Sequence, residues 1–256
     1  MKPYMKHRFL ITCWLVLTGI QTAAANDPTG TVRSTDSTTS PPLKPFVAEY
    51  YLTKKRTTIG EITLTLKQTG DMWRLTSDGK ATGLAAIFVH DTIQEVTKFR
   101  FINRCMQPLH YTNTKSKDED GEYPETVFDW DLISAHVTGE GIDIHVPLKP
   151  KMLNEHLVTL AIMRDAPKPD TQFSYNVLKG TGEETQSFKK GDTEKIRVDG
   201  KEFNAVKITR EHGSRTTVSW HSVDQQYLPV KIERYKDGKL KSQMTFKSYK
   251  LLENAE

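Results

Sequence analysis

The feature that most restricts this chain is a hydrophobic period of two, repeated over much of its length. Ile62, Leu64 and Leu66 fall on one side of an extended segment, and Glu61, Thr63, Thr65 and Lys67 on the other. Met244 and Phe246 alternate with Gln243, Thr245 and Lys247, and the pairs Val206/Ile208, Val218/Trp220 and Val230/Ile232 repeat the scheme. Successive strand side chains point to opposite faces, so the pattern makes antiparallel sheet with one apolar and one wet face. Turn signals separate the runs: Thr69-Gly70-Asp71, Gly139-Glu140-Gly141, Lys190-Gly191-Asp192, Val198-Asp199-Gly200 and Lys236-Asp237-Gly238-Lys239. Asp199-Gly200 and Asp237-Gly238 suit two-residue hairpins, whose central residues both need positive φ. The second predicts a hairpin joining residues 230–236 to 239–249. Roughly a dozen or more strands follow, too many for a flat open sheet. The expected fold is all-β and mainly antiparallel, a strongly curved sheet or partly open β-barrel.

Two segments break the alternation. Residues 152–164 (MLNEHLVTLAIMR) place Leu153, Leu157, Leu160 and Ala161 on one helical face, and Asp165-Ala166-Pro167 ends the helix. One amphipathic helix in a curved sheet is expected to fill its concave side. Residues 83–89 (GLAAIFV) are too apolar for an exposed loop and too short for an independent helix. They suit a short buried helix capping one barrel end, or a hydrophobic lip that meets a lipid, a membrane or a partner.

The N-terminus predicts export. Lys2, Lys6 and Arg8 precede an apolar run from Phe9 to Ile20, and no acidic residue appears before Asp27. A run of that length is a signal-peptide core, well short of the ~20 residues that span a bilayer. Ala23 and Ala25 supply the small residues for cleavage before Asn26. The competing lipobox reading at Cys13 has an unfavourable Thr12 and places the cysteine too early in the run. The expected organisation is a signal peptide over 1–25, a disordered Ser/Thr/Pro-rich linker over 26–44, one domain over 45–251 and a tail over 252–256. The expected location is the periplasm, with no transmembrane segment in the processed chain. Losing three cations lowers the formal net charge from +4 to +1, which leaves no global field for nucleic acid. Cys105 then stands without a cysteine partner, so no internal disulfide is expected, and burial as a small hydrophobe is its ordinary role.

No zinc-protease, Cys-x-x-Cys, nucleophile-elbow or phosphate-loop motif is present. Ser187-Phe188-Lys189-Lys190 matches Ser-x-x-Lys, but that pair needs a helix and its flanks alternate like a strand. Asp129 and Asp131, two apart, would share a strand face for acid–base work or a hard cation, unless the strand ends there in a turn. The histidines are scattered, although His136 and His145 can face each other across the 139–141 turn. No metal and no cofactor are expected. Lys54-Lys55-Arg56 reads as a solvated hairpin tip within reach of phosphate headgroups.

Phe46-Val47-Ala48-Glu49-Tyr50 with Gly60-Glu61, then Ala81-Thr82-Gly83-Leu84-Ala85-Ala86-Ile87-Phe88, resembles the opening of domain-of-unknown-function family 3108. Pro108-Leu109-His110-Tyr111, Phe128-Asp129-Trp130 and Tyr227-Leu228-Pro229-Val230-Lys231-Ile232-Glu233 resemble the same family, from about residue 45 to 249. The resemblance implies an exported bacterial protein with a curved antiparallel sheet partly closed around helix. It implies a more distant likeness in fold to the periplasmic carriers of lipoproteins. It brings no catalytic residues. Three functions stay open. The first is a non-enzymatic carrier whose concave face, lined by Leu64, Leu66, Leu157, Trp220, Ile232, Met244 and Phe246, holds a lipid or lipoprotein under Leu84, Ile87 and Phe88. The second is a scaffold for an envelope protein partner. The third is a hydrolase or lyase on envelope glycans or lipids.

Overall fold

The computed structural model describes residues 42–83, 92–115, 125–139 and 141–253. The expected signal peptide, the linker up to residue 41 and the 84–89 segment lie outside the described residues. Eight strands run outward from the N-terminal side: β1 (Phe46–Lys54), β2 (Thr57–Thr69), β3 (Met72–Ala81), β4 (Thr92–Ile102), β5 (Cys105–Lys115), β6 (Glu125–Asp129), β7 (Ser134–Gly139) and β8 (Ile142–Pro147). After the two-residue β9 (Leu153–Asn154), a 3-10 turn and helix α1 (Val158–Asp165), the chain returns through β10 (Gln172–Lys179), β11 (Gly182–Val198) and β12 (Lys201–His212). It ends in β13 (Arg215–Ser222), β14 (Leu228–Lys236) and β15 (Lys239–Leu251).

These strands form one sheet in the order β8-β7-β6-β5-β4-β3-β2-β1-β15-β14-β13-β12-β11-β10-β9. The last strand zips against the first, so the two halves of the chain meet mid-sheet along β1–β15. All pairings are antiparallel except β9 with β10, whose crossover carries α1, as a parallel pair requires. The hairpins at Asp199-Gly200 and Asp237-Gly238 form as expected, with φ of 47° and 79° and of 52° and 69°. Lys55-Arg56 and Asn103-Arg104 adopt the same double-positive conformation without glycine. This turn twists with its strands, so sheet pairing holds side chains that locally disfavour it.

Lys190-Gly191-Asp192 is not the turn its sequence suggests. It lies inside the 17-residue β11, where the register against β12 slips between Lys190 and Thr193. The extra residues make a bulge that bends the strand while pairing continues. The helix also begins later than its periodicity suggests. Leu153 and Asn154 pair with β10, and the Asn154 side chain then accepts a hydrogen bond from the Leu157 amide at 3.2 Å, capping the 3-10 turn that leads into α1. Leu43, within the expected linker, is buried in the core.

Helix α1 lies on the concave side and is apolar on both flanks. Leu157, Leu160, Ala161 and Met163 join Phe46, Ala48, Leu66, Leu75, Phe99 and Val230 in one cluster. Val158 and Ile162 pack with Val177, Phe188, Val206 and Ile208 in a second. A helix hydrophobic on both sides belongs inside a protein. The sheet's edges do not hydrogen-bond to each other, but side chains bring them together. Phe128, Ala135 and Val137 of β6–β7 pack with Met152 and with Leu178 of β10, and Lys149 bridges to Glu183 at 2.6 Å. The result is a β-barrel-like sheet that is not closed by backbone hydrogen bonds, with side chains packed between its end regions.

Candidate functional site

Residues opposite each other in a sheet share a face, so the register gives the inner surface row by row. The row Phe46–Leu66–Leu75–Thr97–Tyr111 lies beside the helix, and Trp73 pairs with Phe99 one step further out. The next row is Ala48–Leu64–Ser77–Glu95–Asn113. Toward the β1–β2 hairpin the rows thin out. One holds Tyr50, Ile62, Gly79 and Ile93, and the last holds Leu52, Gly60 and Ala81. Across β1 that last row continues through Met244 and Ile232 to Ser219 and Ile208. Leu52, Ile62, Ile93, Ile232 and Met244 are all only partly buried. The inner face is therefore filled by aromatics and helix at one end. At the other it is lined by apolar side chains around glycines and an alanine.

Gly60 and Gly79 thin this surface for different reasons. A Cβ at Gly60 would stand 2.8 Å from the Lys80 carbonyl oxygen, so close backbone approach requires glycine there. A Cβ at Gly79 would meet only the Ile93 carbonyl oxygen, at 3.7 Å, an ordinary contact. Packing does not demand glycine at 79, and its absent side chain leaves space on the inner face.

Polar groups mark the border between the filled and thin parts. His156 is bonded to Ser77 Oγ at 2.7 Å and Thr97 Oγ1 at 3.0 Å, and Thr97 accepts from Asn154 Nδ2 at 2.8 Å. Burial holds the imidazole down at about 3, so it is neutral. With Thr97 accepting from Asn154, its hydroxyl is free to donate to Nδ1, which leaves Nε2–H for Ser77. The Tyr111 hydroxyl donates to Glu95 at 2.7 Å, and burial together with that carboxylate pushes the phenol far up. Glu155 faces Lys179 at 2.9 Å, and burial outweighs the lysine to raise its carboxyl. Among the described residues, Asn113 Oδ1 and the Tyr50 hydroxyl are buried without hydrogen-bond partners. Sequence reasoning passed over Glu95, Asn113 and Gly79, and named Tyr111 only within a family motif. A glycine inside an alternating run was the available signal.

The residues expected to line a cavity divide into three groups. Leu64, Leu66, Leu157 and Phe246 are core, with Leu66 and Leu157 fully buried. Ile232 and Met244 lie opposite each other in the thin part. Trp220 is partly buried and packs against the main core cluster from a different register row. Its register row is Lys207–Trp220–Lys231–Thr245–Tyr51–Glu61, the outward one. Ammonium groups of Lys231 and Lys207 stand 4.7 and 5.9 Å from its ring centre, and its indole donates to Glu194 at 2.5 Å. The neighbouring bulge has its extra residue, Val230, on β14, while β13 pairs with β12 without interruption, so the buried His221 faces the other way by ordinary alternation. Leu84, Ile87 and Phe88 lie outside the described residues.

The candidate chemical pairs resolve into structural roles. Asp129 ends β6, and its carboxylate accepts from the amides of Asp131 and Leu132 at 3.0 and 2.9 Å, which ties the turn. His136 and His145 do face each other, with rings stacked 4.5 Å apart, and His136 bonds Asp143 at 2.6 Å. Among the described residues no group of three or more His, Cys, Asp or Glu could hold a metal. Ser187 bonds Ser174 across β10–β11, and Lys190 donates to the carbonyls of Ala166 and Lys168. Cys105 is half-buried at the start of β5.

A curled, incompletely closed antiparallel sheet around one helix defines the β-barrel-like class. A solved structure of that class, a β-barrel-like protein of domain of unknown function DUF1849 from Brucella abortus, is similar in fold. It shares 8% identity at a TM-score of 0.53, covering 82% of this chain and 99% of that one. The chain belongs to the protein family of unknown function DUF3108, whose sequence profile matches residues 47–245. No curated protein matches it. Among the described residues no helix is long and apolar enough to cross a membrane.

Proposed function

We propose that this protein is a non-enzymatic carrier in the periplasm, reached by cleavage near Ala25-Asn26. Its cargo is an acyl chain of a cell-envelope lipid or lipoprotein, held at the thin end of the concave face. The observation carrying this reading is the partly buried apolar set Leu52, Ile62, Ile93, Ile232 and Met244 around Gly79. Apolar burial binds an acyl chain without any catalytic motif, at about 0.8 kcal/mol per buried methylene. The border of hydroxyl, amide and carboxylate groups supplies hydrogen bonds for a polar head. The test is displacement of a fluorescent fatty acid from the purified protein. Gly79→Phe, whose Cβ the backbone accepts, fills the space and weakens binding by at least about tenfold, or 1.4 kcal/mol. Equal binding by this folded variant, or none by the parent protein, defeats the proposal.

A second reading, an interaction protein, is favoured by edge strand β8, which exposes Ile142 and Ile144. An unpaired edge of this kind can accept a partner's strand.

A further inference from the structure

The outer face of β2–β4 carries a charge arrangement that the fold does not resolve. Glu61 and Lys80 are directly opposed on β2 and β3 and make an ion pair at 3.3 Å. Six residues along the same strand pair, the opposed residues are Lys67 and Arg74, both cationic. Arg74 is in turn opposed by Lys98 on β4. Like charges directly opposite in a sheet destabilise it. All three side chains are exposed, and none makes an ion pair with a described residue. Thr65 and Thr76, opposed in the next row with hydroxyl side chains, border a shallow groove of about 290 Å³ with Lys67, Arg74 and Asp78. Asp78 sits at the far end and is engaged by Gln94 Nε2 at 2.6 Å. The guanidinium forms the middle of the row, where it can offer two parallel N–H donors to an oxyanion, flanked by two ammonium point charges.

We propose that the Lys67–Arg74–Lys98 row, with Thr65 and Thr76, is a binding site for a phosphate-bearing anion. The anion offsets the repulsion between the three strands and accepts from Arg74 and the two hydroxyls. The site is on the outer face, so it stands or falls separately from the concave pocket. Two probes distinguish the sources of such a phosphate. One is inorganic phosphate, followed through the amide shifts of Thr65, Arg74 and Thr76. The other is flotation with phosphatidylglycerol vesicles against phosphatidylcholine vesicles, at low and high salt. Saturable shifts without flotation identify a small phosphate ester, and salt-sensitive flotation with phosphatidylglycerol identifies a headgroup. Each cation removed weakens vesicle binding about fivefold. Arg74→Glu separates this site from a merely structural patch. It is expected to abolish binding while raising the melting temperature by about 1–3 °C, because the row becomes complementary. The double variant Lys67→Gln/Lys98→Gln weakens binding with the fold unchanged. No response to either probe, or binding unchanged in both variants, overturns the proposal.

Discussion

Two histidines, His156 and His221, are buried with only hydroxyl and carbonyl partners on their rings. His156 has Ser77 and Thr97, and His221 has the Tyr227 carbonyl at 2.8 Å and Ser219 at 2.9 Å. The Tyr227 carbonyl fixes the proton on Nδ1 of His221, so Nε2 accepts from Ser219. Burial depresses His156 to about 3 and His221 to about 4, the latter partly offset by the carbonyl. An unfolded histidine takes its proton near 6.5. Below that pH the unfolded chain binds more protons than the folded one, so their stabilisation is complete above 6.5 and lost as pH falls toward 4 and 3. Each contributes a loss of about 2 kcal/mol between pH 6.5 and 5. Glu155, with its carboxyl raised by burial, acts in the opposite sense. The comparison with variants therefore isolates the histidines. Denaturant melts should show a steep pH slope that His156→Gln and His221→Asn each flatten; an unchanged slope in both would mean that neither ring is held neutral.

At the scale of elements, α1 carries the burden of filling the curved sheet. Leu160 is fully buried among residues of the main cluster, whereas its neighbour Thr159 is half-exposed. Leu160→Ala should cost about 2–5 kcal/mol in chemical unfolding and Thr159→Ala well under 1. Comparable costs at the two positions would contradict a helix buried on the concave side. This element was legible because Leu157, Leu160 and Ala161 repeat at helical spacing. Its start was not, since Leu153 fits the same face while its backbone is taken by β10, a partner that local periodicity cannot reveal. Gly191 misled for a related reason. A glycine between polar residues reads as a turn, and only the continued pairing with β12 distinguishes a bulge. Asp199-Gly200 and Asp237-Gly238 read correctly because the required positive φ is a local property.

At the scale of the molecule, two halves of the chain wind outward from the β1–β15 seam and meet again through side chains around α1. The all-β, curved, helix-filled architecture follows from period-two alternation and one amphipathic segment, both visible in the residues. The site is less visible. Which apolar residues of an alternating run are core and which line a surface depends on how far the helix reaches along the barrel. Leu66 and Met244 look alike in sequence, yet one is sealed and the other is partly open. Trp220 follows the plain alternation of β13 and falls on the opposite register row from Ser219 and Ile232, which only the pairing with β12 and β14 reveals. The central claim is that the thin end of the concave face holds an apolar envelope ligand. Native mass spectrometry of the full-length chain, expressed with its own N-terminus and purified gently, tests it most directly. The expected result is a reproducible added mass that disappears on organic extraction and whose fragments are those of an acyl lipid or lipoprotein. A clean apo mass, with no uptake when acyl lipids are offered, would contradict it.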